Sequence, residues 1–306
     1  MKKLIVCFLF YALSTTVYSW PTKNITVVVP YPVGGAVDIL TRSLVFDLSS
    51  NLRDHIIIVK NVPGAANILA INSILSTDND NHTILLTSEE MISSSVLMNI
   101  NHHNQFVPIN IIATSPYIFY TGKKNFSIDL FLEENRKGKN ISVATGGPYS
   151  NIQLWSRTFV SNFSITPVQY KGFADIAQAI LGEHVDYSAV SLTAFKQLST
   201  NKNIVPLMVL SEKRIPQYPK IPSYVELGFG GPPAPLVWYG VFVRRDTDAL
   251  AMQNLTESFH KVVSLNSKIK NDELDVINLT GSRATQFIQK EIQRLEKLKN
   301  NAQVAQ

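Results

Sequence analysis

Residues 25–38 read ITVVVPYPVGGAVD, and this stretch decides the fold class. Its β-branched run, residues 25–29, stops at Pro30, and a turn rich in proline and glycine follows. A helical pattern then begins, with one apolar face formed by Ile39 or Leu40, Leu44 and Leu48. A β-branched run that changes to helical spacing across a glycine turn predicts a strand followed by a helix.

The same order of strand, turn and helix recurs along the chain. Further strand-like runs lie at residues 56–59, 83–86, 141–144 and around 168, and helical patterns lie at 67–75, 150–163 and 174–181. Continuous apolar strands that alternate with amphipathic helices predict an α/β fold with mostly parallel, doubly wound sheets. The stretch 117–138 breaks the pattern and is a candidate domain boundary. The chain then has a strand-like run at 238–243 and helical patterns at 250–263 and 283–300.

The composition is that of a folded protein with more than one core. The chain has 306 residues, of which 45% are hydrophobic and 17% charged. A single core stops growing at about 250 to 300 residues, so two domains are favoured. The formal net charge is +5, but the charges are dispersed along the chain, with basic residues beside acidic ones, as at Arg53-Asp54, Glu212-Lys213 and Arg245-Asp246. This disfavours a nucleic-acid-binding face.

The first nineteen residues have the pattern of a secretory signal peptide. Two lysines, Lys2 and Lys3, precede an apolar run at 4–13, and small or tolerated residues follow at 17–19. We expect cleavage after Ser19 and export to the periplasm, with an uncleaved membrane anchor as the alternative. The only cysteine, Cys7, lies inside this segment. The mature chain therefore cannot depend on disulfides or thiol catalysis.

No enzyme motif is found in the sequence. There is no His-Glu-x-x-His pattern, no Gly-x-Ser-x-Gly elbow and no phosphate-binding glycine loop. His102-His103 is interpreted as part of a solvated loop rather than a metal site. The acid pairs Glu89-Glu90 and Glu133-Glu134 show no apolar setting that would raise the pKa of one partner. We assign no catalytic residue, metal or cofactor.

Two turns between a strand and a helix are candidates for anion binding. They are residues 30–38 and 145–150, both rich in glycine and small residues. The first N–H groups of a helix lack intrahelical partners and carry partial positive charge, which suits a carboxylate or phosphate. In a parallel sheet both turns lie at the carboxyl ends of strands, where ligands bind. The alternative for each turn alone is an ordinary tight connection.

Five segments together resemble a known family. They are residues 29–38, 59–68, 168–172 with 181–186, 218–228 and 238–240. Their order and spacing are similar to those of the tripartite tricarboxylate transporter receptor family of periplasmic solute-binding proteins. The resemblance covers nearly all of the chain after residue 19.

This resemblance implies a fold, a function and a set of contacts. The expected fold is α/β and similar to type II periplasmic binding proteins, with two doubly wound domains around a hinged ligand cleft. Residues 20–118 and 237–306 would form one domain, and residues 119–236 the other. The implied protein is a monomer that captures a small carboxylate and delivers it to membrane transporter subunits. The implied ligand-binding residues are Tyr31, Gly34, Gly35, Asp38, Asn67, Ser88, Thr145, Gly147, Ser150 and Asp186.

Several points stay open at this level. Asp38 is equally well interpreted as a ligand contact and as a first-turn residue stabilised by the helix dipole. The family commonly has a histidine and a glutamate where this chain has Gln153 and Arg157. If Glu89 faces the cleft it would repel a dianion and favour an amine or an uncharged tail, although a solvated loop acid is the favoured interpretation. A sensor for a membrane histidine kinase and, less well supported, a secreted hydrolase are the alternative functions.

Overall fold

The computed structural model describes residues 20–49, 55–147, 150–158, 162–170, 172–230, 234–267, 269 and 274–304. The predicted signal peptide, residues 1–19, lies outside the described residues. Within these ranges, no helix combines the length and the apolar character that a membrane span requires.

Ten strands and nine helices are described here. The strands are β1 Ile25–Val29, β2 Ile57–Asn61, β3 Thr83–Ser88, β4 Phe106–Thr121, β5 Asn140–Thr145, β6 Ser164–Gln169, β7 Tyr187–Ser191, β8 Val205–Leu210, β9 Leu236–Arg244 and β10 Asp275–Leu279. The α-helices are α1 Ala36–Ser49, α2 Ile68–Leu75, α3 Glu90–Leu97, α4 Ile128–Arg136, α5 Asn151–Thr158, α6 Phe173–Leu181, α7 Leu192–Leu198, α8 Ala249–Leu265 and α9 Gly281–Val304. Short 3₁₀ helices lie at Ala65–Asn67 and Asn101–Gln105.

Strand β1 is buried on both faces. β1 pairs in parallel with β2 and with β3. Val27 and Val29 belong to a core cluster that contains Leu44 of α1, whereas Val28 packs in a second cluster with Ile71 of α2. A strand covered on both sides needs a continuous apolar run, which is the pattern in the sequence. The predicted α/β architecture is confirmed.

The long strand β4 joins two halves of the sheet. Its residues up to Pro116 pair with β9, and its residues from Tyr117 onward pair with β7 and β8. We call β1, β2, β3, β9, β10 and the first part of β4 sheet A, and the remaining strands with the last part of β4 sheet B. In sheet B, β5 lies between β6 and β7 and is parallel to both.

The structure corrects the prediction that residues 117–138 interrupt the pattern of strands and helices. These residues contain the end of β4 and all of α4. Helix α4 begins after Ser127, whose side-chain oxygen accepts a hydrogen bond from the Leu130 amide at 3.3 Å. This serine cap defines the helix start that the dense charges of residues 133–137 obscure.

Candidate ligand-binding site

A cleft lies at the carboxyl ends of strands from both sheets. Its volume is about 510 Å³. Sheet A contributes the turns after β1 and β2 and the start of α3, and sheet B contributes the turn after β5. The lining residues are Pro30, Tyr31, Pro32, Pro63, Gly64, Ala65, Ala66, Asn67, Ile68, Glu90, Met98, Gly146, Gly147 and Ser150.

The glycine turn after β1 is closed by its own hydrogen bonds. The Gly34 amide donates to Asp38 Oδ2 at 2.9 Å, and the Gly35 amide donates to the Pro32 carbonyl at 3.2 Å. Neither glycine lines the cleft. This corrects the expectation that both amides are free for a carboxylate. The φ of +82° at Gly34 explains the glycine there, because a residue with a Cβ is strained in that region.

Asp38 stabilises the same turn through hydrogen bonds within the chain. Its side chain is 1% exposed. Besides Gly34 it accepts hydrogen bonds from Arg42 Nε at 3.0 Å and from Asn61 Nδ2 at 2.9 Å. Burial opposes its ionisation, but these hydrogen bonds outweigh burial and hold the pKa of Asp38 below its ordinary value. These hydrogen bonds give Asp38 a structural role in the turn.

Tyr31, Ser88 and Asn67 form a connected polar group at the sheet A wall. The Tyr31 hydroxyl and Ser88 Oγ are 2.6 Å apart, and Asn67 Nδ2 donates to the Tyr31 hydroxyl at 3.3 Å. Asn67 is 1% exposed, and its Oδ1 has no hydrogen-bond partner among the described residues. Tyr31 and Asn67 line the cleft, and Ser88 lies behind Tyr31.

Asn67 ends a stretch of left-handed backbone. Positive φ values run from Gly64 at 125° through Ala65 at 49° and Ala66 at 51° to Asn67 at 75°. Each non-glycine residue in this conformation costs about 1–3 kcal/mol, so such a run persists only where other interactions hold it. The whole stretch lines the cleft. Asn67 was predicted from the sequence as a ligand-binding residue. The contribution of residues 63–66 was not predicted, although they lie in a segment that carries the family resemblance.

The turn after β5 is open to the cleft. A Cβ added at Gly146 or Gly147 would meet no atom of the described, non-adjacent residues within 4 Å. Among the described residues, neither glycine amide donates a backbone hydrogen bond outside regular elements. Residues 148 and 149 of this turn lie outside the described ranges. Both glycines line the cleft.

Ser150 and Thr145 support the same turn from either side. Ser150 Oγ accepts a hydrogen bond from the Gln153 amide at 3.2 Å, which caps α5, and it also donates to the Gly147 carbonyl at 2.9 Å. Thr145 is buried, and its hydroxyl donates to Gln153 Oε1 at 2.8 Å. Gln153 therefore holds the end of β5 through Thr145, and Ser150 lines the cleft.

Asp186 is not brought to the cleft. The amide and hydroxyl of Ser142 both donate to Asp186 Oδ2 at 2.8 Å, and Lys123 Nζ lies 2.8 Å from Asp186 Oδ1. Ser142 is near the start of β5, whereas Thr145 ends it. The cleft turn and Asp186 therefore lie at opposite ends of sheet B, and Asp186 serves an ion pair there.

The acid pair Glu89-Glu90 departs most from the expectation. Tyr117 donates to Glu89 Oε1 at 2.8 Å, while Glu89 Oε2 is buried and has no hydrogen-bond partner within the described part of the chain. Burial raises the pKa of Glu89 to about 7. Burial also raises the pKa of Glu90, which lines the cleft and accepts from Asn67 Nδ2 at 3.4 Å. The expectations of a solvated Glu89 and of a pair without an apolar setting are wrong.

Solved structures with this fold are periplasmic binding proteins. The periplasmic binding protein BugD matches with a TM-score of 0.77 and 21% identity, over 93% of this chain and 99% of BugD. An R. palustris protein solved with adipate matches with a TM-score of 0.76 and 22% identity, over 92% of this chain and 98% of that protein. Two sheets joined by a long strand, with a cleft at their strand ends, thus define the periplasmic binding protein fold here.

The sequence comparisons identify the family within this class. The model of the tripartite tricarboxylate transporter family receptor matches residues 40–303. A UPF0065 protein from the tcbD-tcbE intergenic region of Pseudomonas sp. (strain P51) is 27% identical over 255 residues, which are 80% of this chain and 75% of that protein. The chain belongs to the tripartite tricarboxylate transporter receptor family. The resemblance found in the sequence is confirmed, and the family is one of receptors rather than of enzymes.

Proposed function

We propose that this chain is a non-catalytic periplasmic receptor that binds a small carboxylate in the cleft and delivers it to membrane transporter subunits. The predicted signal peptide, residues 1–19, would direct its export. The receptor would act as a monomer. Its two domains would be residues 20–118 with 237–306, and residues 119–236.

The observation that carries this proposal is the open turn at Gly146 and Gly147. Both glycines line the cleft, and a Cβ added at either would meet no atom of the described, non-adjacent residues within 4 Å. Helix α5 begins directly after Ser150, so its dipole adds partial positive charge at the same place. Main-chain amides at a helix start bind carboxylates without a basic side chain. The structural neighbour solved with adipate supports a carboxylate as the ligand class.

Titration calorimetry on protein freed of bound solute tests the proposal. The panel contains succinate, glutarate, adipate, citrate, benzoate, L-aspartate and L-glutamate. We expect at least one of these acids to bind, and we expect Gly146→Val to weaken its binding by about tenfold or more, the factor that corresponds to 1.4 kcal/mol. The valine would occupy the space of the ligand carboxylate without steric cost to the fold, because Gly146 has open space around it.

Gly172→Val is the matched control. Gly172 also precedes a helix of sheet B, has open space around it and does not line the cleft. We expect this variant to bind as the wild type does and both variants to melt within a few degrees of it. Absence of binding across the panel in well-folded protein would contradict the proposal. Equal loss of affinity in both variants would exclude the open turn as the carboxylate site.

A further inference from the structure

The cleft has acceptors on one wall and donors on the other. Among its described lining residues, Glu90 has the only charged side chain. Glu90 and Asn67 lie on the sheet A side, whereas the open amides of Gly146 and Gly147 lie on the sheet B side. A ligand that spans the cleft therefore meets negative charge at one end and main-chain N–H groups at the other.

Among the described residues, the acid pair has no basic partner. The groups that hydrogen-bond to Glu89 and Glu90 are neutral: the side chains of Ser88, Tyr31, Tyr117 and Asn67, and the Glu89 backbone. On helix α9, which packs against α3, Lys299 Nζ donates to the Val96 carbonyl at the other end of α3. Arg294 of α9 is paired with Glu291 at 3.0 Å.

Two buried acceptors at this wall lack a donor. They are Glu89 Oε2 and Asn67 Oδ1, and neither has a hydrogen-bond partner among the described residues. Buried polar atoms without partners are rare in folded proteins and call for an explanation. Asn67 Oδ1 is an acceptor, and Glu89 Oε2 is one when its carboxyl group is ionised, so a group that donates hydrogen bonds would complete this wall.

We propose that the solute is an amine-bearing carboxylate whose ammonium group is received by Glu90 and Asn67 while its carboxylate lies at the Gly146–Gly147 turn. This inference rests on the proposed function, since it uses the same cleft. An ammonium has three N–H donors and no acceptor, which matches a wall made of carboxylate and amide oxygens. A dicarboxylate would instead place a second negative charge beside Glu90.

Two further considerations favour an ammonium over other cations and over a plain dianion. Within the described part of the chain, no three His, Cys, Asp or Glu side chains group together as a metal site would require. Burial raises the pKa of both glutamates. A nearby positive charge would favour their ionised forms and so offset the cost of burying them.

Binding of matched acids with and without an amine tests the inference. The pairs are L-glutamate and glutarate, L-leucine and 4-methylpentanoate, and 4-aminobutyrate and butyrate. We expect the wild type to bind the aminated member of at least one pair about 10- to 100-fold more tightly, the range that corresponds to a hydrogen bond with a charged group. In Glu90→Gln, which removes the charge and keeps the shape, this ratio should fall toward one.

Glu133→Gln is the control, because Glu133 is an exposed glutamate of α4 outside the cleft lining. It should keep the wild-type ratio. The comparison of pairs in the wild type does not depend on any variant folding. Tighter or equal binding of the deaminated acid in every pair would overturn the inference and leave the proposed function standing. A full amine preference in Glu90→Gln would also overturn it. No binding by any acid would overturn both.

Discussion

The carboxylate of Asp38 accepts three hydrogen bonds from its own chain. Two come from the neighbouring Gly34 and Arg42, and one comes from Asn61 at the end of β2. This single side chain therefore ties the turn after β1 to the adjacent strand. From the sequence, Asp38 is equally well interpreted as a helix-cap residue and as a ligand contact. Its hydrogen bond from Asn61, which lies on the neighbouring strand, could not be predicted from the local sequence.

Replacement of Asp38 should destabilise the fold. We expect Asp38→Ala to lower the free energy of unfolding by about 2 kcal/mol at pH 7, because a buried hydrogen-bonded cap is lost. Because the folded-state pKa of Asp38 is lowered, its contribution is present above the unfolded pKa and is lost as pH falls through the folded pKa. The difference from wild type should therefore shrink in acid.

Urea unfolding at pH 7 and pH 3 measures this effect. Asp129→Ala is a suitable control, because Asp129 is an exposed acid in the first turn of α4. This substitution should change the free energy of unfolding only slightly, because an exposed charge near a helix start contributes about 0.3–1 kcal/mol at most. An equal loss of stability in both variants would contradict this role of Asp38. A loss in Asp38→Ala that is as large at pH 3 as at pH 7 would also contradict it.

Glu89 should have the opposite dependence on pH. Its pKa is raised to about 7 in the folded protein by burial. In the unfolded chain the carboxyl group of Glu89 ionises near its ordinary pKa of 4.5. The contribution of the protonated group to the stability of the fold is therefore lost as pH rises from this value toward 7, and it does not change further above that. We expect Glu89→Gln, which mimics the protonated acid, to raise the free energy of unfolding at pH 8 by about 1–3 kcal/mol and by much less at pH 5.

The groups around Glu89 support that assignment. Among the described residues, the side chains that interact with it are Glu90, Ser88, Tyr31, Tyr117 and Tyr239, and none carries a positive charge. Unfolding of the variant and the wild type at the two pH values is the measurement, with Glu133→Gln as an exposed control. A stabilisation of the same size at pH 5 and pH 8 would show that the carboxyl group of Glu89 is not protonated in the folded protein.

At the scale of elements, local patterns predicted the repeated strand and helix units. Residues 25–29 and 141–144 lie within observed strands, because each has an apolar run and a glycine turn directly after it. Strand β4 was not predicted. Its 16 residues include Pro108 and Pro116, which argue against a central strand. The ladder with β9 accommodates Pro108 through a register shift beside it, and this depends on the partner strand.

Helix α3 explains why the acid pair was misjudged. Its sequence contains Ser93, Ser94 and Ser95 in succession, and serine is a weak helix former. All three are buried, and the hydroxyls of Ser93 and Ser94 donate to carbonyls three residues earlier. Tertiary packing overrides the local preference here. Because the helix was not foreseen, neither was the burial of Glu89 beside its first turn.

For the whole molecule, the sequence predicted the position of the cleft better than its contacts. The cleft lies at the strand ends where the two candidate turns were placed, and Tyr31, Asn67, Gly147 and Ser150 line it. The sequence of a glycine turn does not show whether its backbone amides are free or hydrogen-bonded within the turn. The turn at residues 30–38 therefore looked equivalent to the turn at residues 145–150, although hydrogen bonds within the turn engage both Gly34 and Gly35.

The most direct measurement is the position of the bound carboxylate in a crystal structure of the complex with the tightest acid of the panel. We predict that its oxygens accept hydrogen bonds from the amides of the Gly146–Gly147 turn, with the rest of the solute against Asn67 and Glu90. A carboxylate held at Gly34 and Gly35 would contradict this. So would a solute in the separate crevice of about 250 Å³ lined by Trp20 and Phe259.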